Sequence, residues 1–222
     1  MGFDVRRSTA CVAVGATTLL ASGALAAQSS AAQIALNAPC YFNTDRSTAT
    51  VTIAGSGFLA SSTVDIGGGV FGNVTTDPAG NFLTTVRAPN ATIRPGARKF
   101  NVTASDEDLD TGQKVTASTT GHYTMAGVAF SDNFVGFGKR ITYFFGGFRP
   151  GRQIYGHYFI GRRQTGRKRF GRAAGPCGTL KAKATGYPVS SAHPDTWTVF
   201  FDNVRKFSRR AIPTYVYGFH KV

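Results

Sequence analysis

"VTIAGSGFLASSTVDI", Val51 to Ile66, recurs as "ITYFFGGFRPGRQIYG", Ile141 to Gly156, at a constant offset of 90. Under that offset Gly57 meets Gly147, Phe58 meets Phe148 and Val64 meets Ile154. Val51 and Ile53 alternate with Thr50 and Thr52, the period of a strand with one face buried. The glycine ahead of each Phe permits a left-handed backbone or a close strand approach, and the Phe is expected to plug the end of a sandwich.

The likeness continues downstream. "GNFLTTV" (Gly80 to Val86) resembles "GTLKAKA" (Gly178 to Ala184) at an offset of 98, and "RPGARKFNV" (Arg94 to Val102) resembles "HPDTWTVFF" (His193 to Phe201) at 99. Phe100, Val102 and Ala104 form one inward set, and Trp197, Val199 and Phe201 its counterpart. Short alternating segments punctuated by Gly, Pro, Asn and Asp are the pattern of an all-β sandwich. Composition agrees: 27 glycines and two methionines in 222 residues, with Val, Ile, Thr, Phe and Tyr filling the ordered segments. The expectation is two immunoglobulin-like β-sandwich domains in tandem. They cover residues 37–126 and 127–222, behind a signal peptide (1–26) and a linker (27–36).

The leader is read from Arg6 and Arg7, the apolar "ACVAVGATTLLASGALA" and the small-x-small site Ala24-Leu25-Ala26, the layout of a secretory signal peptide. No later segment is apolar enough to span a bilayer, so the mature chain is expected to be secreted or associated with the cell envelope. Removing the leader leaves Cys40 and Cys177, and an even pair in an exported protein reads as a disulfide. Such a bridge closes a very long loop, worth roughly 4–5 kcal/mol in the chain-entropy account.

Charge divides sharply between the halves. Residues 28–126 balance to −1, whereas residues 127–222 carry +14 of the chain's +14 total, the leader supplying the compensating +1. Asymmetry on this scale points the second half at something negative. The offsets grow from 90 to 98 between Gly156 and Gly178, so the second copy carries extra residues there. Within that interval "HYFIGRRQTGRKRFGR" reads as a hairpin insertion (157–173) turning near Gln164-Thr165-Gly166. Arg162, Arg163, Arg167, Lys168, Arg169 and Arg172 are the candidate polyanion-binding residues, because guanidinium forks suit phosphates and carboxylates and clustered cations release counterions. Tyr158, Phe159 and Phe170 are candidate stacking rings. Two other readings stand beside this one: an edge hairpin kept soluble by charge, and a docking surface for an acidic protein. A second basic run, "VRKFSRRA" (Val204 to Ala211), precedes the last strand.

The block "GSGFLASSTVDI…TTDPAGNFLTTV…IRPGARKFNVTA" resembles the immunoglobulin-like modules common in exported proteins of high-GC Gram-positive bacteria. Those include IPT/TIG-type repeats and, more loosely, the apoproteins of the neocarzinostatin class. The carried pattern is Gly55-x-Gly57-Phe58, Val64 to Ile66 and Asp77-x-x-Gly80. The resemblance implies a fold more than an activity. The chromophore-binding members have disulfides within one domain, and neither half here contains two cysteines.

Other constellations are weaker. Asp106, Asp108 and Asp110 with Gly112 approximate a calcium loop, but the glycine falls one place late and Ala117 stands where a closing Glu belongs. An acidic turn between strands is the commoner explanation. Four histidines are scattered without metal-ligand spacing, and no glycine-framed serine marks a nucleophile elbow. The sequence therefore describes a non-enzymatic binding protein with no cofactor. Its expected partner is an anionic cell-wall polymer, an acidic glycan or extracellular nucleic acid, with an acidic protein as the alternative.

Overall fold

The structure, a computed structural model, describes residues 31–44, 47–90, 94–132, 139–186 and 196–220. The expected leader, residues 1–26, lies outside them. Among the described residues there is no helix, so none is long and apolar enough to cross a membrane. In chain order the first half forms β1 (Gln33–Leu36), β2 (Tyr41–Asn43), β3 (Thr50–Ser56), β4 (Thr63–Gly68), β5 (Gly72–Thr75), β6 (Phe82–Arg87), β7 (Arg98–Glu107) and β8 (Lys114–Met125). The second forms β9 (Gly127–Phe130), β10 (Arg140–Gly146), β11 (Gln153–Ile160), β12 (Arg163–Arg172), β13 (Leu180–Thr185), β14 (Thr196–Asp202) and β15 (Tyr215–His220).

Each half packs a three-stranded sheet against a larger one. In the first half the orders are β1-β3-β6 and β2-β8-β7-β4-β5. In the second they are β9-β10-β13 and β15-β14-β11-β12. The orders correspond strand for strand, β2 being extra: it pairs in parallel with the end of β8 at Tyr123 to Met125. Alternation sets the faces. Val51 and Ile53 of β3 meet Val64 and Ile66 of β4 and Phe100, Val102 and Ala104 of β7 in one core. Ile141, Tyr143 and Phe145 of β10 meet Ile154, Tyr158, Val199 and Phe201 in the other. Complete burial of such side chains stabilises by about 1.5–3 kcal/mol each relative to exposure, so each half has its own reason to fold.

The repeat holds at the level of single hydrogen bonds. Phe58 N–H donates to Gly80 O at 3.1 Å, and Phe148 N–H donates to Gly178 O at 3.2 Å. Gly57 and Gly147 both take positive φ, 77° and 81°, which a side chain would strain. A Cβ on Gly80 would lie 2.2 Å from Phe58 O, and one on Gly178 would lie 1.6 Å from Phe148 O. Both Phe rings are buried, as the plug reading requires.

Cys40 and Cys177 form the expected disulfide, with a Cα–Cα distance of 5.2 Å across 137 residues of sequence. It ties the segment ahead of β2 to the turn ahead of β13, so it joins the two halves rather than bracing either. The same seam is close. A Cβ on Gly146 would lie 2.4 Å from Met125 O and 2.9 Å from the Pro95 ring, and the Arg94 guanidinium sits 5.5 Å from the centre of the Phe144 ring.

Two sequence expectations are corrected. Residues 33–36, expected as linker, form β1 on the edge of β3, with Leu36 opposite Ile53; their alternation was too short to stand out from the leader's tail. The cationic hairpin does not turn at Gln164-Thr165-Gly166. It turns at Gly161-Arg162, where Gly161 has φ 57°, and Gln164, Thr165 and Gly166 lie inside β12.

Candidate functional site

β12 is an edge strand, hydrogen-bonded to β11 on one side only. Its pairing slips twice, between Ile154 and Tyr155 and between Tyr158 and Phe159, leaving Phe170 and Thr165 as the extra residues of two bulges. A bulge re-aims side chains and bends the edge. At the first bulge the Phe170 ring turns into the core, 4.7 Å from Tyr143 and 5.0 Å from Phe145. At the second, the Thr165 hydroxyl donates to Tyr158 O at 3.2 Å.

This geometry removes the expected stacking rings from the surface. Tyr158 is 1% exposed and Phe159 7% exposed, and Phe170 packs against the second core. Alternation with cations in the sequence made them look like surface aromatics, whereas Tyr158 and Phe170 face the core and Phe159, on the outer face of β11, is covered by Phe200 and Phe207. Tyr155 is the ring left half-buried on the outer face of β11, with the Arg167 guanidinium 5.9 Å from its centre.

The six hairpin cations spread along this one edge. Arg162 is at the turn, and Arg163, Arg167, Arg169 and Arg172 are exposed. Arg167 Nη1 donates to Arg205 O at 2.9 Å, and Arg172 Nη1 donates to Gly151 O at 3.2 Å. Lys168 is half-buried. Its ammonium donates to the carbonyl and the hydroxyl of Thr185, bridging the two sheets at their open side. Burial, and then the nearby Arg140 charge, pull the Lys168 ammonium below the usual lysine range. No ion pair among the described residues involves any of the six; those present are Lys114–Glu107, Lys139–Asp132 and His157–Asp202.

Two clefts flank β12. On the side of β13, a small one of about 230 Å³ brings Arg140 and Lys183 to Lys168 and Arg169. On the outer face, a larger one of about 430 Å³ is lined by Arg152, Arg172 and Arg205 together with Gln153, Tyr155 and Asn203. The residues that complete these clefts escaped sequence reasoning, because Arg140, Arg152, Lys183 and Arg205 come from segments far apart in the chain.

Arg205 reaches the outer cleft because the segment between β14 and β15 folds back over the sheet. Phe207 of that segment packs 4.6 Å from Phe159, 4.9 Å from Phe200 and 5.5 Å from the His157 ring. Beneath it, His157 Nε2 donates to Asp202 Oδ1 at 3.2 Å and to Val204 O at 3.1 Å, while the Val204 N–H donates to the same Asp202 oxygen at 2.9 Å. The Asn203 amide donates to Gln153 O at 3.0 Å and its carbonyl accepts from Arg149 N–H at 2.9 Å. A lone Phe within the basic run "VRKFSRRA" was the available signal that this loop is anchored.

Two of the candidate calcium residues, Asp106 and Asp108, are engaged otherwise. Asp106 is 2% exposed, and its carboxylate accepts from Leu59 N–H at 3.1 Å and from the Ser62 hydroxyl at 2.6 Å. It holds the turn between β3 and β4 instead of facing a loop of ligands. Asp108 Oδ1 accepts from the Asp110 and Thr111 amides at 2.9 and 3.2 Å. Hydrogen bonds to the Thr111 side chain and to those amides keep its carboxyl below the usual range. The acidic-turn reading describes the segment.

No family model matches the chain, and no curated protein does. Among solved structures it is similar to a tetra-tandem repeat in the extending region of a large adhesion protein. The identity is 14% over 86% of this chain and 49% of that one, at a TM-score of 0.29. It is also similar to the YadV chaperone, 8% identical over 84% of this chain and 98% of that one, at a TM-score of 0.26. The chain thus spans about half the length of the adhesion-protein repeat.

Proposed function

We propose that the protein is an exported, non-catalytic binding protein that contacts an anionic polymer, at the cell envelope or outside the cell, through the β12 edge. Export rests on the leader pattern and accords with a disulfide, which persists in oxidising compartments. One observation carries the polymer reading. Arg152 and Arg205, from separate segments, converge on the same side of β12 as Arg172, with no carboxylate among the described residues paired to the hairpin cations. A charged edge that only discourages strand pairing needs cations on the edge itself; it does not need distant arginines gathered beside it.

The test is retention of the full chain on immobilised polyphosphate and on heparin across a salt gradient, beside a variant with Arg162, Arg163, Arg167 and Arg169 all changed to Gln. The variant elutes earlier on both, and the salt dependence of its affinity shallows by about 0.7–0.9 in the log–log slope for each phosphate that is no longer neutralised. Identical elution of the two proteins ends the reading. If retention is unchanged while capture of one specific acidic protein is lost, the edge is a protein-docking surface.

A further inference from the structure

We propose that the outer cleft bounded by Arg152, Arg172 and Arg205 is a discrete site for one tetrahedral oxyanion ester, phosphate or sulfate, borne on a sugar ring that lies against Tyr155. This rests on the anionic-polymer reading and adds to it a position, a ligand chemistry and a stoichiometry of one.

The walls are set before any ligand arrives. Arg172 is fixed by its bond to Gly151 O, Gln153 donates to Gly171 O at 2.6 Å, and Asn203 ties the turn ahead of β11 to the loop after β14. Arg205 is placed by the Arg167 bond to its carbonyl and by Phe207 two residues on. The guanidinium groups of Arg152 and Arg205 donate to no protein acceptor among the described residues, although both line the cleft. Three like charges around one concavity repel each other, and no carboxylate among the described residues pairs with them. An oxyanion relieves that repulsion and accepts from forked donors on several sides, for which Arg is better suited than Lys.

Size and floor define the rest. A volume of about 430 Å³ exceeds what a bare phosphate or sulfate needs and admits the ring that carries it. Tyr155 is the half-buried aromatic there, and a ring face of that kind packs on the apolar side of a sugar. The smaller cleft on the other side of β12 is less suited, because the Lys168 ammonium is engaged with Thr185 and the Arg140 guanidinium with Lys183 O.

The experiment titrates the full-length oxidised protein, by NMR, with inorganic phosphate, inorganic sulfate, glucose 6-phosphate and glucose 6-sulfate, with acetate and chloride at equal ionic strength as controls. Signals of Arg152, Tyr155, Asn203 and Arg205 shift together and saturate at one equivalent per chain, and the sugar esters bind more tightly than the bare ions. The phosphate and sulfate arms show which ester the site prefers. Arg152→Gln and Arg205→Gln each weaken ester binding by about tenfold, the effect of losing one charge-assisted fork, whereas Arg87→Gln, at an exposed position of β6 in the first half, leaves it unchanged. Arg152→Lys, which keeps the charge and loses the fork, recovers only part of the loss and serves should the Gln variants fold poorly. Shifts no larger than those of acetate, or equal losses from Arg87→Gln and Arg152→Gln, overturn the site. Such a result with polymer retention intact removes the subsite alone; loss of wild-type retention removes the polymer reading itself.

Discussion

His157 and Asp202 meet at 3.2 Å with both side chains wholly buried, on the face of the sheet that the β14–β15 loop covers. Asp202 Oδ2 has no hydrogen-bond partner among the described residues, so His157 and the Val204 amide, both at Oδ1, are what this carboxylate has to offset its burial. The pair therefore holds the loop that delivers Arg205, and it couples the cationic surface to the stability of the second half.

Asp202→Ala is expected to cost about 2–3 kcal/mol, because it takes the Oδ1 acceptor away from the buried His157 ring and the Val204 amide. Asp202→Asn keeps an oxygen for Val204 and loses less. Trp197 is the only tryptophan in the chain and is 5% exposed, so denaturant unfolding followed by its fluorescence reads the second half. Equal losses in the two variants would show that charge has no part in the clamp.

Gly178 and Gly175 sit in the same turn with similar positive φ, 55° and 65°. Only Gly178 faces a neighbour, Phe148 O, whereas a Cβ on Gly175 meets nothing within 4 Å. Gly175→Ala is expected to cost about 1–2 kcal/mol from the left-handed backbone alone. Gly178→Ala must also displace a backbone carbonyl and is expected to lose at least about 3 kcal/mol. Thermal midpoints of the two variants provide the check; matching midpoints would contradict the close approach.

Asp106→Ala strands the Leu59 amide and the Ser62 hydroxyl, and a loss of about 2–3 kcal/mol follows from hydrogen bonds to a charged acceptor. Hydrogen exchange at the Leu59 amide should accelerate with it. Calcium in the buffer should leave the wild-type midpoint where it is, and a calcium-dependent rise would restore the ligand reading of Asp106, Asp108 and Asp110.

The second core also resists alkali only up to a limit. Burial pushes the Tyr158 hydroxyl far above its ordinary value, with Tyr143 adding to the effect. Burial and then Tyr217 push Tyr215 up to about 12. The unfolded chain releases these protons near pH 10, so the native state binds more protons above that point. The stability they contribute is complete below pH 10 and is lost as pH rises towards 12. In an ultraviolet titration, at least these two of the eight tyrosines should stay protonated until circular dichroism reports unfolding. Reversible ionisation of all eight in the folded state would contradict their burial.

The repeat was legible because Gly57, Gly80, Gly147 and Gly178 answer to backbone constraints that no other residue satisfies, so the same letters reappear at the same places. The two inward sets, from Val51 to Ala104 and from Trp197 to Phe201, followed from strand period. The hairpin was legible only in outline. Each bulge in β12 shifts the alternation by one residue, which moved Phe170 to the core and made Thr165-Gly166 resemble a turn. Arg152, Arg172 and Arg205 adjoin only because β11, β12 and the β14–β15 loop are neighbours in space, and no local spacing encodes that.

The Cys40–Cys177 bridge also decides how the chain bears a pull along its length. Tension entering through β1 passes at Cys40 directly to Cys177 and leaves by β13 to β15, so the stretch between the two cysteines, a sequence separation of 137, lies outside the load path. β2 to β12, including the cationic edge, can be neither stretched nor unravelled from the ends while the bond holds. Only the residues flanking the bridge can yield length, which leaves the cationic edge slack when the ends are pulled.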